Sequence, residues 1–560
     1  MIHLLLIIGI PTKMHAQYYP ASVPNQWATN TKPVVNMGND VINYTNNGVN
    51  ETVKTIVYDG DTPGMFFEFL QAGSVKNSGV LVFNYTDVVD PDVALVAKNV
   101  GGIWRLYALV SYTRLSGGVY LEIQSFNFVL QTFSLSQLLN IGTSSTVQIR
   151  ASVNIDSDQQ DRFAVTWDEQ GGNGDVYVYG GYINGAGSFI FSPAAVAIPV
   201  PGYCGATPPS LPPVQPLSQP DISIFSAGGG GIANCIVNIC HLDAQGDLHV
   251  NVQRFLDVIN GVLGGGWSLC VEAQNGDVYN KPRIACQRYN ATAVLAQTGI
   301  SMVYEISNPG NGTSHIGSTT SYLDLSLGTV FGFVNTYVLT DGTYPMAQPL
   351  IASSINFLNI GSAPYQNSSP VVTYNRKSGV FNATEEILLV AWNTYDGNTT
   401  VPVSLMQLAN GTGIDLKVSS SPVSYAGNYL EIPFSPSGQE STISISGEQT
   451  NNMLYSWFDF GNFDVRYKSR NYGLPLRLGQ SSDPGFNAYI HENILKTYFS
   501  KTEINSEVEL HIYSVLGGEV YSGVIHPPAN FDLSSLSSNE GSYFLMLNSG
   551  TDQITLKWMR

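Results

Sequence analysis

Residues 148–188 read QIRASVNIDSDQQDRFAVTWDEQGGNGDVYVYGGYINGAGS. Within them Ile149 and Ala151 alternate with polar neighbours, and Asp156-Ser157-Asp158-Gln159-Gln160-Asp161 makes a polar turn. Phe163-Ala164-Val165-Thr166-Trp167 is an apolar run ending in an aromatic ring, and Gly171-Gly172-Asn173-Gly174 turns the chain into Val176-Tyr177-Val178-Tyr179. Alternation of period two, bounded by Gly, Asn and Asp, marks antiparallel strands joined by tight turns. The unit recurs. Leu388–Trp392 precedes Asp396-Gly397-Asn398 and Val401–Leu405, and Leu454–Trp457 precedes Gly461-Asn462 and Asp464–Tyr467. Looser copies are Tyr107–Tyr112, Ile236–Cys240 and Ile300–Tyr304, each followed by a glycine turn. Aligning residues 112, 167, 240, 304, 392 and 457 gives intervals of 55, 73, 64, 88 and 65 residues, room for a four-stranded sheet and its loops. Such a sheet cannot bury both faces alone, so the copies must stack radially into a closed ring. The expected fold class is all-β, with a six- or seven-bladed β-propeller over residues 50–478. Apolar runs at Val53–Val57, Met65–Leu70 and Val80–Phe83 supply a seventh blade or the strand that closes the ring. The aromatic ending each second strand is expected to pack between blades.

Composition agrees. Of 560 residues 43% are hydrophobic and 12% charged, and 55 Gly with 29 Pro exclude coiled coils, helical repeats and collagen, while 31 Tyr and 24 Phe exclude a disordered chain. With a net charge of −18 and only 24 Lys plus Arg, no surface can neutralise a phosphate backbone, so nucleic acid is not an expected partner. The five cysteines, 204, 235, 240, 270 and 286, are too few for a disulfide scaffold and read as small buried hydrophobes with at most one or two bridges. Cys235 and Cys240, five apart on a strand, face opposite sides and cannot bond to each other. The proline-rich stretch Ile198–Pro220 is expected to be neither strand nor helix, serving as a linker or a docking arm. Roughly residues 90–475 resemble the propeller-like repeats of secreted bacterial surface proteins, on the strength of the Asp-Ser-Asp turn, the strand ending in Trp and the glycine-rich turn.

The two ends address the compartment. Leu4-Leu5-Leu6-Ile7-Ile8-Gly9-Ile10 followed by Met14-His15-Ala16 reads as a signal peptide over 1–16, cleaved after Ala16, with an N-terminal segment over 17–49. No later segment has the roughly 18 to 20 apolar residues of a transmembrane helix. From residue 482 to 560 a new series begins: Val508–Val520, Phe531–Leu536, Gly541–Leu547 and Gln553–Trp558, short alternating strands that read as a small Ig-like β-sandwich. Ile512-Tyr513 before Gly517-Gly518-Glu519-Val520, Asp532–Leu536 leading to Gly541 and Tyr543-Phe544, and a last strand with Lys557 and Arg560 resemble the type A C-terminal sorting domain of type IX secretion cargo in Bacteroidetes. That resemblance implies the type IX secretion machinery as a partner, and a final location that is secreted, extracellular or on the outer-membrane surface.

Chemistry is sparsely signalled. There is no Gly-x-Ser-x-Gly elbow, no His-Glu-x-x-His helix and no phosphate loop, so no catalytic or cofactor-binding residue is assigned. Asp156, Asp158 and Asp161 have the oxygen-ligand spacing of a calcium loop, as do Asp59 with Asp61, and Asp87 with Asp90 and Asp92, although the Gly and distal Glu of an EF-hand are missing. Calcium is thus the one cofactor considered. His241 and His249, in neighbouring strands of one hairpin, read as a solvated pair rather than metal ligands. The nine Asn-x-Ser/Thr triplets read as turns. The leading expectation is a non-catalytic surface protein that binds a glycan, a protein or copies of itself. The alternatives are a propeller glycoside hydrolase or lyase, needing carboxylates that meet at the axis from different blades, and a structural subunit of an extracellular assembly.

Overall fold

A computed structural model describes residues 21–22, 34–142, 152–169, 174–199, 217–226, 235–263, most of 267–338 and the strands between 366 and 559. The chain divides into two units, Met1–Tyr472 and Gly473–Arg560. The expected signal peptide lies outside the described residues.

In the first unit the strands form meanders whose order in each sheet follows the sequence. The first sheet is Met37–Asn46, Val49–Tyr58, Gly64–Gln71 and Ser74–Val82; the second is Val88–Val100, Ile103–Arg114, Val119–Asn127 and Thr132–Asn140. The third comprises Val153–Ser157, Arg162–Asp168, Val176–Ile183 and Phe189–Phe191, with Val196–Ala197 beside it, and the fourth Ser218–Ser226, Cys235–Leu242, Leu248–Arg254 and Trp267–Val271. A nine-stranded sheet follows. It is two meanders, one opening with Val278–Cys286 and the other with Gln366–Asn375, joined by a single parallel bridge between Ser314 and Gln366. The last sheet is Glu440–Gly447, Asn452–Asp459 and Asp464–Asn471, with Ala21–Ser22 added at its outer edge. The first strand of every meander packs against the first strand of the next, from Met37–Asn46 round to Glu440–Gly447 and back. This is a β-propeller. Among the described residues its six hydrogen-bonded sheets carry seven inner strands, because the nine-stranded sheet contributes two.

The aligned residues sit where the repeat places them, on second strands between sheets. Trp167, Trp392, Trp457, Tyr112, Tyr304 and Cys240 are all fully buried, and in the first sheet Tyr58 plays the same part. Apolar residues from adjacent sheets mix around them, as where Val153, Trp167 and Phe163 join Val96, Leu109 and Ile123. The first sheet starts at Met37, before the expected boundary at residue 50, so part of the assumed N-terminal segment is an inner strand. The proline-rich stretch also departs from expectation at its ends. Ile198 and Leu217 are buried, their amides bonded to Val176 and Gly174 carbonyls, and Ser218–Pro220 belong to an inner strand; residues 201–216 lie outside the described residues.

First and last sheets are locked together. Asn39 Nδ2 donates to the Ser444 carbonyl (3.0 Å) and Ser456 Oγ (2.7 Å), Thr442 Oγ1 donates to the Val35 carbonyl (2.8 Å), and Tyr467 donates to Glu68 Oε2 (3.0 Å), whose other oxygen pairs with Lys54. Cys235, Cys240 and Cys286 are buried thiols outside any disulfide, whereas Cys270 is disulfide-bonded.

The described residues of the second unit form a three-stranded sheet, Phe486–His491, Ile494–Phe499 and Ala529–Asp532, and a four-stranded sheet ordered Glu519–Ile525, Val508–Ser514, Ser542–Ser549 and Asp552–Met559. Leu495, Leu510, Ile512, Leu533, Leu545 and Leu547 form its apolar core.

Replacing Trp167, Trp392 or Trp457 by Ala should each cost roughly 3 to 5 kcal/mol, because all three rings are removed from water completely. Urea denaturation of the three variants measures this, and a cost below about 1 kcal/mol at any of them would contradict the equivalence of the sites.

Candidate functional site

The seven inner strands surround a cavity of about 750 Å³, inside the ~300 to 1,000 Å³ range of ligand pockets. Each inner strand is the first strand of its meander, and apart from the single bridge at Gln366 its inner edge presents backbone N–H groups that its own sheet does not pair. Side chains from the preceding inner strand supply the missing acceptors. Asp40 Oδ2 accepts from Leu95 N (2.7 Å), Asp90 from Val153 N (2.9 Å), Asp92 from Ile155 N (2.9 Å), Asp156 from Ile224 N (2.7 Å) and Asp221 from Ile284 N (2.7 Å). Ser223 Oγ accepts from Cys286 N at 3.1 Å. Hydrogen bonds to charged groups contribute about 1.5 to 3 kcal/mol each. The approach is close enough that a Cβ on Gly38 would come within 2.7 Å of the Asp92 Cα, so the first inner strand needs glycine there.

One end of the inner strands is bulged. The register slips between Val89 and Asp92, Ser218 and Asp221, Asn280 and Arg283, Ser368 and Val371, and Ser441 and Ile443. At each slip a non-glycine residue is left-handed: Asp90 (φ +54°), Gln219 (+52°), Lys281 (+45°), Ser369 (+53°) and Thr442 (+45°). In the first four the next residue is proline. A proline has no N–H to leave unpaired, which suits an edge strand at a bulge. These strained residues form the rim on which Lys281 stands with half its side chain exposed. At the other end Gln159 (φ +58°) reaches from the third sheet to the Val41 carbonyl (2.9 Å), Asp40 Oδ1 (3.2 Å) and the Gly447 carbonyl (3.4 Å), tying the first and last sheets to the third.

A second tier of caps follows the buried aromatics. Asp59, after Tyr58, accepts from Val35 N (2.8 Å) and Asn36 N; Asp168, after Trp167, accepts from Ser152 N (2.7 Å) and Gln219 N (3.0 Å); Glu305, after Tyr304, accepts from Ser369 N (2.5 Å). At the same place in the fourth sheet stands His241. It is fully buried, stacked on His249 (ring centroids 5.4 Å apart), and neither of its ring nitrogens has a hydrogen-bond partner. The expected solvated pair is therefore a buried one. His249 bonds Asp243 Oδ2 at 3.0 Å. Stacked imidazoles direct their lone pairs within parallel planes, so the two rings do not address one ion.

The candidate calcium ligands are not gathered at a point. Asp156 clips Ile224, Asp158 Oδ1 accepts from the amides of Gln160, Asp161 and Arg162 (each 2.9 Å), and Asp161 pairs with Lys98 at 2.6 Å. Asp87 binds Arg114 at 2.8 Å, apart from the clips of Asp90 and Asp92. Among the described residues no group of three His, Cys, Asp or Glu could hold a metal. The spacing that suggested a calcium loop is that of a hairpin whose carboxylates cap backbone amides.

Cavity electrostatics are uneven around the ring. Asp40, Asp90, Asp92, Asp156 and Asp221 lie on four consecutive inner strands; Lys281 and Arg283 stand on the next. Burial pushes the Asp92 carboxyl up to about 8, with the charge of Asp221 adding to the effect, and raises Asp221 to about 6 against the pull of Arg283. Burial raises Asp90 as well. Arg283 is 3.4 Å from Asn154 Oδ1 and 4.0 Å from Asp221 Oδ1. Among the lining residues on the last two inner strands and the first, Asp40 is the one ionisable group. There Asn39 Oδ1, Asn393 Oδ1 and Ser446 Oγ are buried on lining residues without a hydrogen-bond partner.

No family model matches the chain, and no curated protein matches its sequence. Solved structures similar to it include the WD40 domain of SCAP from fission yeast, at 9% identity and a TM-score of 0.32, covering 81% of this chain and 98% of that one. The fucose-specific lectin of Aleuria aurantia is similar at 9% identity and a TM-score of 0.33, covering 70% and 99%. The NanB sialidase of Streptococcus pneumoniae is similar at 10% identity and a TM-score of 0.33, covering 80% and 70%. Likeness this remote says nothing about what the chain binds.

The shifts give pH a defined sign. The folded state keeps Asp92 protonated from its ordinary 3.8 to about 8, so it holds more protons than the unfolded chain there, and this contribution to stability falls as pH rises through that window. His241 works oppositely. Burial, with His249 beside it, holds it down at about 3 against an ordinary 6.5, so stability falls as pH drops from about 6.5 toward about 3. Asp92→Asn keeps an oxygen for the Ile155 amide and should gain on the wild type as pH rises from 5 to 9. Asp92→Ala should share the flattened pH slope but lie about 1 to 3 kcal/mol below Asp92→Asn at either pH by orphaning that amide. Urea midpoints at both pH values decide this; equal pH slopes for wild type and Asp92→Asn would contradict it.

Proposed function

We propose that this is an exported, surface-located binding protein whose propeller takes a hydroxyl-rich carbohydrate unit at the rimmed mouth of its central cavity and does not turn it over. One observation carries the reading. The carboxylates around the axis are already engaged in holding neighbouring inner strands, whereas the lining also offers the neutral, half-buried side chains of Asn36, Ser368 and Ser444. Sugar hydroxyls donate and accept in several directions, which suits such amides and hydroxyls. A hydrolase would need a carboxyl free to hand a proton to a glycosidic oxygen.

An enzyme is the second reading, favoured by a single feature: Asp92 and Asp221 are driven to separate values, about 8 and about 6, as acid and base partners are. The binding reading is preferred because both residues spend their oxygens on Ile155 and Ile284. For export, the quoted motif residues Ile512-Tyr513, Glu519-Val520, Tyr543-Phe544 and Lys557 fall on the strands Val508–Ser514, Glu519–Ile525, Ser542–Ser549 and Asp552–Met559, and the unit is proposed to be an Ig-like type IX sorting domain.

Incubating the full chain with a panel of neutral oligosaccharides should give retention without products. Product formation lost in Asp92→Asn would establish the enzyme instead, and ligand-free assembly into polymers would favour the structural subunit. A reporter fused to residues 482–560 behind a signal peptide should reach the medium or cell surface of a type IX-competent host; its retention in the periplasm would refute the sorting assignment.

A further inference from the structure

Hairpin tips are ordinarily built from Gly, Asn, Asp and Ser. Asn46-Asn47-Gly48 in the first sheet and Asn184-Gly185-Ala186-Gly187 in the third obey that rule. The tip between Val119–Asn127 and Thr132–Asn140 reads Phe128-Val129-Leu130-Gln131 instead. Its shape does not depend on those side chains, since Asn127 Oδ1 fixes the turn by accepting from the amides of Val129 (2.9 Å) and Leu130 (3.0 Å). Phe128 packs inward against Tyr44 and Phe126. Val129 is 91% exposed and Leu130 66%.

Two neighbouring tips extend this apolar point. Tyr44 also packs on Trp104, with ring centroids 4.9 Å apart, and so brings up Ile103, which is 69% exposed. Asn77 Nδ2 donates to the Gln131 carbonyl (2.7 Å), which brings up Val75, 54% exposed. All three tips stand at the end of the ring opposite the bulged rim, as Val100 and Val89 lie at opposite ends of one strand. The charges beside them are cationic. Lys76 is exposed next to Val75, and Arg105, also exposed, bonds a backbone carbonyl, that of Gly187 (3.4 Å), rather than a carboxylate. Glu51, the carboxylate of these tips, is buried and takes N–H groups of Asn46 and Gln71. A chain of net charge −18 has thus gathered exposed apolar side chains and cations at one end.

That combination decides the occupant. A second copy seated on the same patch would set Lys76 and Arg105 against their own counterparts, with no exposed carboxylate at these tips to receive them. A bilayer with anionic headgroups suits both features, because projecting apolar side chains enter the acyl boundary while cations meet phosphates. We propose that this end of the propeller docks on an anionic lipid bilayer, with Val129 and Leu130 inserted, Val75 and Ile103 beside them, and Lys76 and Arg105 on the headgroups. The surface is independent of the carbohydrate reading. It leaves the rimmed mouth of the cavity facing away from the lipid.

The test is flotation of the full chain with vesicles of phosphatidylcholine alone and of equimolar phosphatidylcholine and phosphatidylglycerol, at low and high salt. The mixed vesicles should carry more protein, and salt should weaken the binding. Val129→Asp with Leu130→Asp should lower the bound fraction roughly tenfold or more without moving the urea midpoint, and Lys76→Glu should lower it on the mixed vesicles alone. The apolar run Leu4–Ile10 is common to all these proteins, so their differences report the tips. An environment-sensitive fluorophore on Leu130→Cys should shift to the blue on the mixed vesicles. Unchanged emission there, or equal flotation of wild type and the double variant, would overturn the proposal. So would lipid-free dimerisation that the double variant abolishes, which would assign the patch to a second copy.

Discussion

The ring rests on one recurring contact, an aspartate on one inner strand accepting the backbone amide of the next. Sheets arranged around an axis splay apart, so their inner edges cannot pair as strands in a sheet do, yet each edge carries amides that must find acceptors. A carboxylate spans that gap. Asp40, Asp92, Asp156 and Asp221 do so in succession through the first five inner strands, and Ser223 adds a neutral version of the same bond. The spacing between sheets, the cavity width and the need for Gly38 opposite Asp92 all follow from the reach of that side chain.

The same solution creates the polarity of the cavity. Carboxylates that cap amides must stand close to the axis, where little water reaches them, and that desolvation, with repulsion from Asp221 adding to it, raises Asp92 well above the usual carboxylate range. Arg283, on the strand after the acidic series, offsets part of that repulsion from the side. Past it the strategy changes. The remaining inner strands carry Ser369, Thr373, Thr442, Ser444 and Ser446, so half of the cavity wall is ionic and half merely hydrogen-bonding. A ring of identical repeats would have presented one surface all round; this ring presents two.

The aromatic ends of the second strands were legible because burial there is a matter of volume, and volume is written in residue type: Trp167, Trp392 and Trp457 have no other use for so large a ring. The inner strands were hidden for the opposite reason. Their defining residues are polar, and Asp90-Pro91-Asp92 reads naturally as a turn, since the amide that Asp92 serves belongs to Ile155, in a different sheet, and has no side-chain signature. The repeated x-Pro step at Pro91, Pro220, Pro282 and Pro370 was the available signal. It was obscured because proline ordinarily argues against a strand, an inference that fails at an edge. Met37–Asn46 escaped notice likewise: with Asn39 and Asp40 on it the stretch resembles a loop, although both side chains are buried, Asn39 at the seam with the last sheet and Asp40 against the second. Asp156, Asp158 and Asp161 offered two readings because caps and ligands demand the same oxygens at the same intervals.

The strand at Ala21–Ser22 has a consequence in time as well as in space. It pairs with residues 466 and 467 of the last sheet, so the outermost seam of the circle joins the start of the chain to a segment made hundreds of residues later. Contacts between such distant partners form late, because the entropy of drawing the ends together must be met first. During synthesis the earlier sheets can stack in order, each on its predecessor, while Glu440–Gly447 is still to come. Until it arrives, the inner face of Met37–Asn46 has no neighbour on one side, and the growing polypeptide is an open arc with an unpaired apolar flank.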